Sequence, residues 1–382
     1  MDYIPYSQQQ IDQEDISAVA AVLQSDFLTQ GPNVTLFEKL IAKHVYAEYS
    51  VATSSATAAL HVACLAFGVN QNSLVWTVPN TFVASANCAL YCGAKVDFVD
   101  IDFNTGNLSV ECLENKLVEA ESNGALPDLL IPVHFSGQPT DQSEIWHLSQ
   151  KYGFKVLEDC SHSLGARCGG SYAGSCKFSH AAIFSFHPVK MITCAEGGMI
   201  TTNDAEIYQK SKMFSSHGIT RERARLLADN KPDWYYEQHI LGYNYRMNDI
   251  QAALGVSQLA KLDHFVAQRN TIAKKYDDFF LNTKYVPLKI DDAKYCSYHL
   301  YVVRVGKSRD EIFNFLRSKN VGVNVHYQPV HLQPYYRKLG FALGMYPSAE
   351  RHGVESISIP IFPSLSEVHQ NKVIELFSNL MK

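Results

Sequence analysis

Apolar positions along the first two thirds of the chain alternate between two periods. Helical spacing marks DISAVAAVLQS (15–25), VTLFEKLIAKHV (34–45) and SATAALHVACLAF (55–67). Short continuous apolar runs mark buried strands at SVATS (50–54), SLVWTV (73–78), AKVDFVD (94–100), DLLIPVHF (128–135), FKVLED (154–159), AAIFSF (181–186) and GGMITT (197–202). This alternation predicts an α/β fold with a mostly parallel sheet, in which ligands bind beyond the carboxyl ends of the strands. Around 244–282 the pattern lengthens into long helices. YHLYVVRV (298–305), a helix at 309–319, VGVNVHY (321–327) and a helix near 365–381 then predict a smaller α+β domain. The expected division is an N-terminal arm over 1–14, a large α/β domain over 15–250 and a small α+β domain over 251–382. A helix near 250–280 bridges the last two.

Composition narrows the function classes. Of 382 residues 46% are hydrophobic, and the 19% that are charged fall below the ~25% of ordinary soluble domains, which suggests large buried faces or an oligomer interface. The balance of 33 basic and 38 acidic residues, net -5, argues against nucleic acid or an anionic membrane as the main partner. MDYIPYSQQQIDQED has neither the basic n-region nor the apolar h-region of a secretory signal, and stretches such as VACLAFGV (62–69) are too short to cross a bilayer. Nine cysteines without a CxxC pair fit reduced thiols in a cytoplasmic protein. Cys160, Cys168 and Cys176, with His162 and His180 nearby, are spaced too loosely for a zinc site, so no metal is expected.

Three stretches carry candidate chemistry. In VATSSATAALHVA (51–63), small residues join a strand to a helix, where backbone N–H groups and the helix dipole favour an anion. An ordinary Ser/Thr cap is the plainer reading of this stretch alone. In FKVLEDCSHSLGA (154–166), Asp159 stands at a strand's carboxyl end, where it could face a ligand or cap a helix equally well. In FSFHPVKMITCAEGG (184–198), Lys190 lies among apolar residues, and desolvation there would make its amine nucleophilic. A lysine snorkelling from a strand end is the alternative. Neither GxxxxGK[ST] nor a GxGxxG that opens a first βαβ unit is present, so nucleotide hydrolysis and hydride transfer find little support. Anion cradle, strand-end acid and desolvated lysine together are the three groups that pyridoxal 5'-phosphate (PLP) requires: donors for its phosphate, a carboxylate for its pyridine nitrogen and an amine for its aldehyde.

The sequence resembles the sugar aminotransferases of the DegT/DnrJ/EryC1/StrS group, which share the fold type I architecture of aspartate aminotransferase. The resemblance runs nearly end to end, through LTQGPNVTLFE (28–38), SSATAALH (54–61), PNTFVAS (79–85), PVHFSGQP (132–139), EDCSHSLGA (158–166), FSFHPVK (184–190), EGGMITTND (196–204), SHGI (216–219) and LGYNYRMNDIQAALG (241–255). It implies that Lys190 forms the Schiff base and shuttles the proton, that Asp159 pairs with the pyridine nitrogen, and that His162 contacts the ring hydroxyl. It further implies that Ala56, Thr57 and Ser185 cradle the phosphate, that Phe82 stacks on the ring, and that Asn244 reaches the phosphate from the second subunit of a homodimer. Tyr6, Thr29, His217, Arg221, His326, Tyr327 and His331 fall in segments resembling substrate-contact regions. Ala56 replaces a glycine that many members have, and His180 stands where many have Asp. Related dehydratases carry His at the Schiff-base position, so Lys190 favours transamination. SSATAAL, SSHGITRERA, PDWYYEQ and VNVHYQPVHLQPYY look most like a branch that uses L-glutamate to aminate a UDP-4-keto-6-deoxy-N-acetylhexosamine on the way to pseudaminic acid. Another nucleotide 4-keto sugar, or a PLP-binding subunit without turnover, are the competing readings.

Overall fold

The computed structural model describes residues 3–381. The seven apolar runs become the seven strands of one sheet: Tyr49–Thr53 (β1), Leu74–Thr77 (β2), Lys95–Phe98 (β3), Leu129–Leu130 (β4), Lys155–Asp159 (β5), Ala181–Ser185 (β6) and Gly198–Thr202 (β7). Their order is β1-β7-β6-β5-β4-β2-β3. Only β7 runs against its neighbours, and the other pairings are parallel. Parallel neighbours require crossovers, and the helices of those crossovers bury the sheet. Val75, Trp76, Leu129, Leu130, Val156, Leu157 and Ile183 are accordingly sealed within one core. β4 is shorter than DLLIPVHF suggests because Pro132 has no N–H for a ladder. The chain keeps a few further links, from the Ile131 N–H to the Trp76 carbonyl, from the Asp159 N–H to the Pro132 carbonyl and from the His134 N–H to the Asp159 carbonyl, and then turns through Phe135–Gly137.

The long helical pattern resolves into two helices, Asp249–Leu259 and Leu262–Phe280, with a break at Ala260–Lys261. The first begins at Asp249 rather than near 244 because Asn248 and Gln251 form a reciprocal capping box. The second joins two cores. Its Leu262, Phe265 and Val266 pack beneath β6 and β7, while Ile272, Tyr276 and Phe280 pack on an antiparallel sheet of Val286–Pro287, Tyr301–Arg304 and Ser356–Ile359. VGVNVHY forms no strand of its own. It is tied by single bridges, Val321 to Ile4 and Asn324 to Ser358. Ile4 is fully buried in this second core, so the chain around it lies against the C-terminal third. Among the described residues, no helix is long and apolar enough to cross a membrane.

Candidate active site

The carboxyl ends of β1, β5 and β6 open on one edge of the sheet, together with the segment that follows β2. They wall a cavity of about 500 Å³. β1 runs through Ser54 and Ser55 into the helix Ala56–Ala66, and the Ser55 side chain caps it by accepting the Ala58 N–H at 3.1 Å. The N–H groups of Ala56 and Thr57 belong to the first turn, where a helix has no internal acceptors. With the dipole behind them, they form an anion-binding corner on the cavity wall. Gly198 makes this corner possible. A Cβ there would stand 2.4 Å from the Ser55 carbonyl oxygen and 2.7 Å from the Ala56 nitrogen, both backbone atoms. Gly198→Ala must therefore push the corner out of place. Overpacking of this kind costs about 1–3 kcal/mol, so cofactor affinity is expected to fall about tenfold or more, measurable by titrating the apoprotein. An unchanged affinity would show that the anion binds elsewhere.

Asp159 closes β5, and strand alternation turns it to the cavity while Glu158 faces the interior. Gln142 donates to Glu158, and His134 lies beside it. Asp159 is 4% exposed. It accepts from Ser85 Oγ at 2.7 Å and from the Ser161 N–H at 3.0 Å. Lys190 enters from the loop after β6. Burial pushes its amine down to about 8, partly offset by the charge of Asp159. Its Nζ stands 3.5 Å from His299 Nε2. Two of the cavity's imidazoles, His162 and His326, are held neutral. Burial first, then Lys190, lowers His162 well below its ordinary value and brings His326 to about 3. His162 Nε2 meets the Tyr327 hydroxyl at 3.2 Å, while its Nδ1 is buried without a protein partner. That orphaned nitrogen is what a site built around a polar ligand leaves behind.

The cavity thus brings together Lys190, Asp159, His162, Ala56, Thr57 and Ser185, with Phe82 at the same wall. Of the expected sugar contacts it gathers Tyr6, His326 and Tyr327. Four other expected residues lie apart. Thr29 pairs with Asn248 and Asn244 with Ser216, both on the outer surface. His217 and Arg221 are exposed in a separate cleft of about 680 Å³, together with Gln30, Lys212, Arg225 and Arg246. His331 also lies away from the cavity. It is fully buried, its Nε2 bonded to Glu350 at 2.9 Å and its ring packed against Tyr346 and Phe98, with no face toward the cavity. Sequence reasoning also missed Ser85, Asn324 and His299. His299 and Asn324 left a faint signal, as polar residues inside the apolar runs YHLYVVRV and VGVNVHY.

A helix corner for a phosphate, a carboxylate at a strand end, a desolvated lysine between them and an orphaned histidine nitrogen fit pyridoxal 5'-phosphate. Fold and site together are those of a PLP-dependent enzyme of fold type I. The chain belongs to the DegT/DnrJ/EryC1/StrS aminotransferase family, whose profile matches residues 9–378. It is 39% identical over 342 residues to the UDP-4-amino-4,6-dideoxy-N-acetyl-beta-L-altrosamine transaminase of Campylobacter jejuni, covering 88% of this chain and 86% of that one. It is 36% identical to the spore coat polysaccharide biosynthesis protein SpsC of Bacillus subtilis, covering 100% and 97%. Among solved structures it is similar to Helicobacter pylori PseC, an aminotransferase involved in the biosynthesis of pseudoaminic acid, with a TM-score of 0.89, 29% identity and coverage of 100% and 99%. Spr1654 of Streptococcus pneumoniae, solved in its PLP form, shows a TM-score of 0.89 at 27% identity, with coverage of 99% and 98%.

Proposed function

We propose that this enzyme moves an amino group from L-glutamate to C4 of UDP-2-acetamido-2,6-dideoxy-β-L-arabino-hex-4-ulose. The product is UDP-4-amino-4,6-dideoxy-N-acetyl-β-L-altrosamine, a precursor of pseudaminic acid. The observation that carries the chemistry is the convergence of the Lys190 amine, the Asp159 carboxylate and the Ala56–Thr57 corner on one cavity. The identity of 39% to the Campylobacter jejuni transaminase supports the choice of sugar. Bound in this cavity, PLP supplies a carbonyl that captures amines and a ring that takes up electrons. The residues do the rest. Asp159 accepts the ring N–H, and Ser85 and the Ser161 N–H hold that carboxylate in place. Ala56, Thr57 and Ser185 would hold the phosphate, Phe82 would cover the ring, and His162 would meet the ring hydroxyl. Lys190 would hold the cofactor through its amine and, once free of it, would carry the proton to and from the sugar's C4 through Nζ. Tyr6, His326 and Tyr327 line the space left for the hexose.

Thr29, His217, Arg221 and Asn244 fit this scheme as contributions to the cavity of a second copy. In a homodimer, Asn244 reaches the partner's phosphate, and the cationic cleft with Arg221 meets the sugar nucleotide's diphosphate. The test is spectroscopic. Glutamate should replace the visible absorbance of the lysine-linked cofactor with the near-ultraviolet band of its aminated form. Adding a UDP-4-keto sugar should restore the first band, and the epimer that restores it fastest is the substrate. Faster restoration by the D-gluco-series epimer would overturn the assignment of the sugar, and no response to glutamate would overturn the reaction.

A further inference from the structure

We propose that His299 is a positioning residue for the transfer lysine: its Nε2 accepts a hydrogen bond from Lys190 Nζ and aims that amine into the cavity. The inference rests on Lys190 being the amine that links to the cofactor. The two nitrogens are 3.5 Å apart, and the His299 side chain is 2% exposed yet lines the cavity.

Its backbone is clamped from two sides. Ser297 Oγ donates to the His162 carbonyl at 2.9 Å, which ties the segment to the strand-end side of the site. From the helix Leu262–Phe280, Arg269 Nη1 donates to the carbonyls of Tyr298, His299 and Ile361 at 3.1, 3.3 and 3.0 Å. A guanidinium 1% exposed is costly to bury unless its N–H groups are bonded. Here three backbone carbonyls take the hydrogens of Nη1, while Nε is buried without a protein partner, and those three bonds hold the chain that presents His299. The ring then lies 4.4 Å from that of His162.

Burial, followed by Lys190, His162, Arg269 and His326, holds His299 well below the ordinary histidine value. A neutral ring can accept at Nε2, which places its proton on Nδ1. That nitrogen is buried without a protein partner. Such a donor is costly unless a ligand or water completes it. The charged and titratable groups around the Lys190 amine are then Asp159, the neutral His162, His299 and His326, the Tyr6 and Tyr327 phenols, His187 and Glu196 at the wall, and Arg269 behind it.

An acceptor at Nε2 stabilises the ammonium over the free amine. Without it the amine loses its proton more readily, but it is no longer aimed. The experiment follows the rate at which apoprotein attaches added pyridoxal phosphate across pH, with borohydride reduction and peptide mapping to verify Lys190 as the attachment point. In the wild type, attachment should accelerate as pH rises through about 8, where the amine gives up its proton. His299→Leu should move the midpoint down by about one unit and lower the plateau rate about tenfold. His299→Gln, whose amide reaches the position of Nε2, should recover most of both. In turnover, kcat should fall in His299→Leu while KM for the sugar holds. If the leucine variant does not fold, His299→Met takes its place in the same comparison. Wild-type midpoint and plateau in the leucine variant would overturn the proposal. So would equal loss of kcat in the leucine and glutamine variants with both midpoints unmoved, because that outcome reports packing alone. Failure of wild-type apoprotein to attach the cofactor at any pH would instead overturn the reading of Lys190 itself.

Discussion

Replacing Lys190 by alanine is expected to cut turnover by at least about 10⁴-fold. The expectation follows from two duties that no neighbour can assume. The first is covalent. Capture of the cofactor's carbonyl needs a primary amine that is neutral for part of the time, and burial brings this one to about 8. The second is proton transfer at the sugar carbon. His162, His299 and His326 stand in the same cavity, but burial and the lysine's charge hold all three below the usual histidine range, so they are weak bases. Lys190→Arg separates charge from chemistry. It keeps the cation, yet its guanidinium does not deprotonate, and it should be as inactive as the alanine variant. Steady-state amination of the 4-keto sugar checks both. Alanine-variant activity within tenfold of wild type would mean that another group carries the reaction. Borohydride should then leave no cofactor covalently fixed to the protein, although Asp159 and the helix corner still bind it.

Much of this site was legible in the sequence because its parts sit where strands end. Apolar runs locate β1, β5 and β6 and so put Ser54–Thr57 and Asp159 at strand ends, where a cap and a ligand contact both remained open, while Ser185 came from the family resemblance. Lys190 was legible for a different reason: an amine amid FHPV and MITC has few unremarkable explanations. The signal fails where position depends on contacts distant in sequence. His326 and His331 belong to one short run, HYQPVH. The first lines the cavity, while the second turns into the packing of Phe98, Tyr346 and Glu350. Nothing in the local pattern records that turn, since it is set by the helix Pro347–Glu355, which carries Glu350. His299 was hidden similarly. Its run reads as core, and the guanidinium that fixes it comes from a helix 30 residues earlier in the chain. The strand Ser356–Ile359 escaped because SISI is too short and too polar to stand out. Asn244, Thr29, His217 and Arg221 were recognised by motif alone, and a single chain does not bring them to the cavity.

Asp159→Asn is expected to lower kcat/KM about 100-fold or more while leaving the apoprotein at least as stable as the wild type. The two halves have one cause. The carboxylate is 4% exposed, and its bonding partners are the neutral Ser85 hydroxyl and Ser161 N–H. A buried charge held only by neutral donors costs stability unless a cation completes it. Lys190 contributes some of that charge, but its amine is partly neutral near pH 8. The protonated pyridine nitrogen of the bound cofactor is the natural complement, through a charge-assisted hydrogen bond. An asparagine of the same shape relieves the apoprotein of the charge and removes what keeps the ring protonated. The ring then withdraws electrons poorly, and removing one electrostatic partner of this kind typically costs 10²–10³ in rate. Thermal melts of both apoproteins and cofactor titrations, run beside the kinetics, test the pairing. A destabilised Asp159→Asn apoprotein with intact kcat/KM would make Asp159 a structural cap at the end of β5, the alternative that its position at a strand terminus always allowed. An apoprotein of unchanged or higher melting temperature that has lost both affinity and rate would show that the carboxylate is kept, at a cost to stability, for the cofactor.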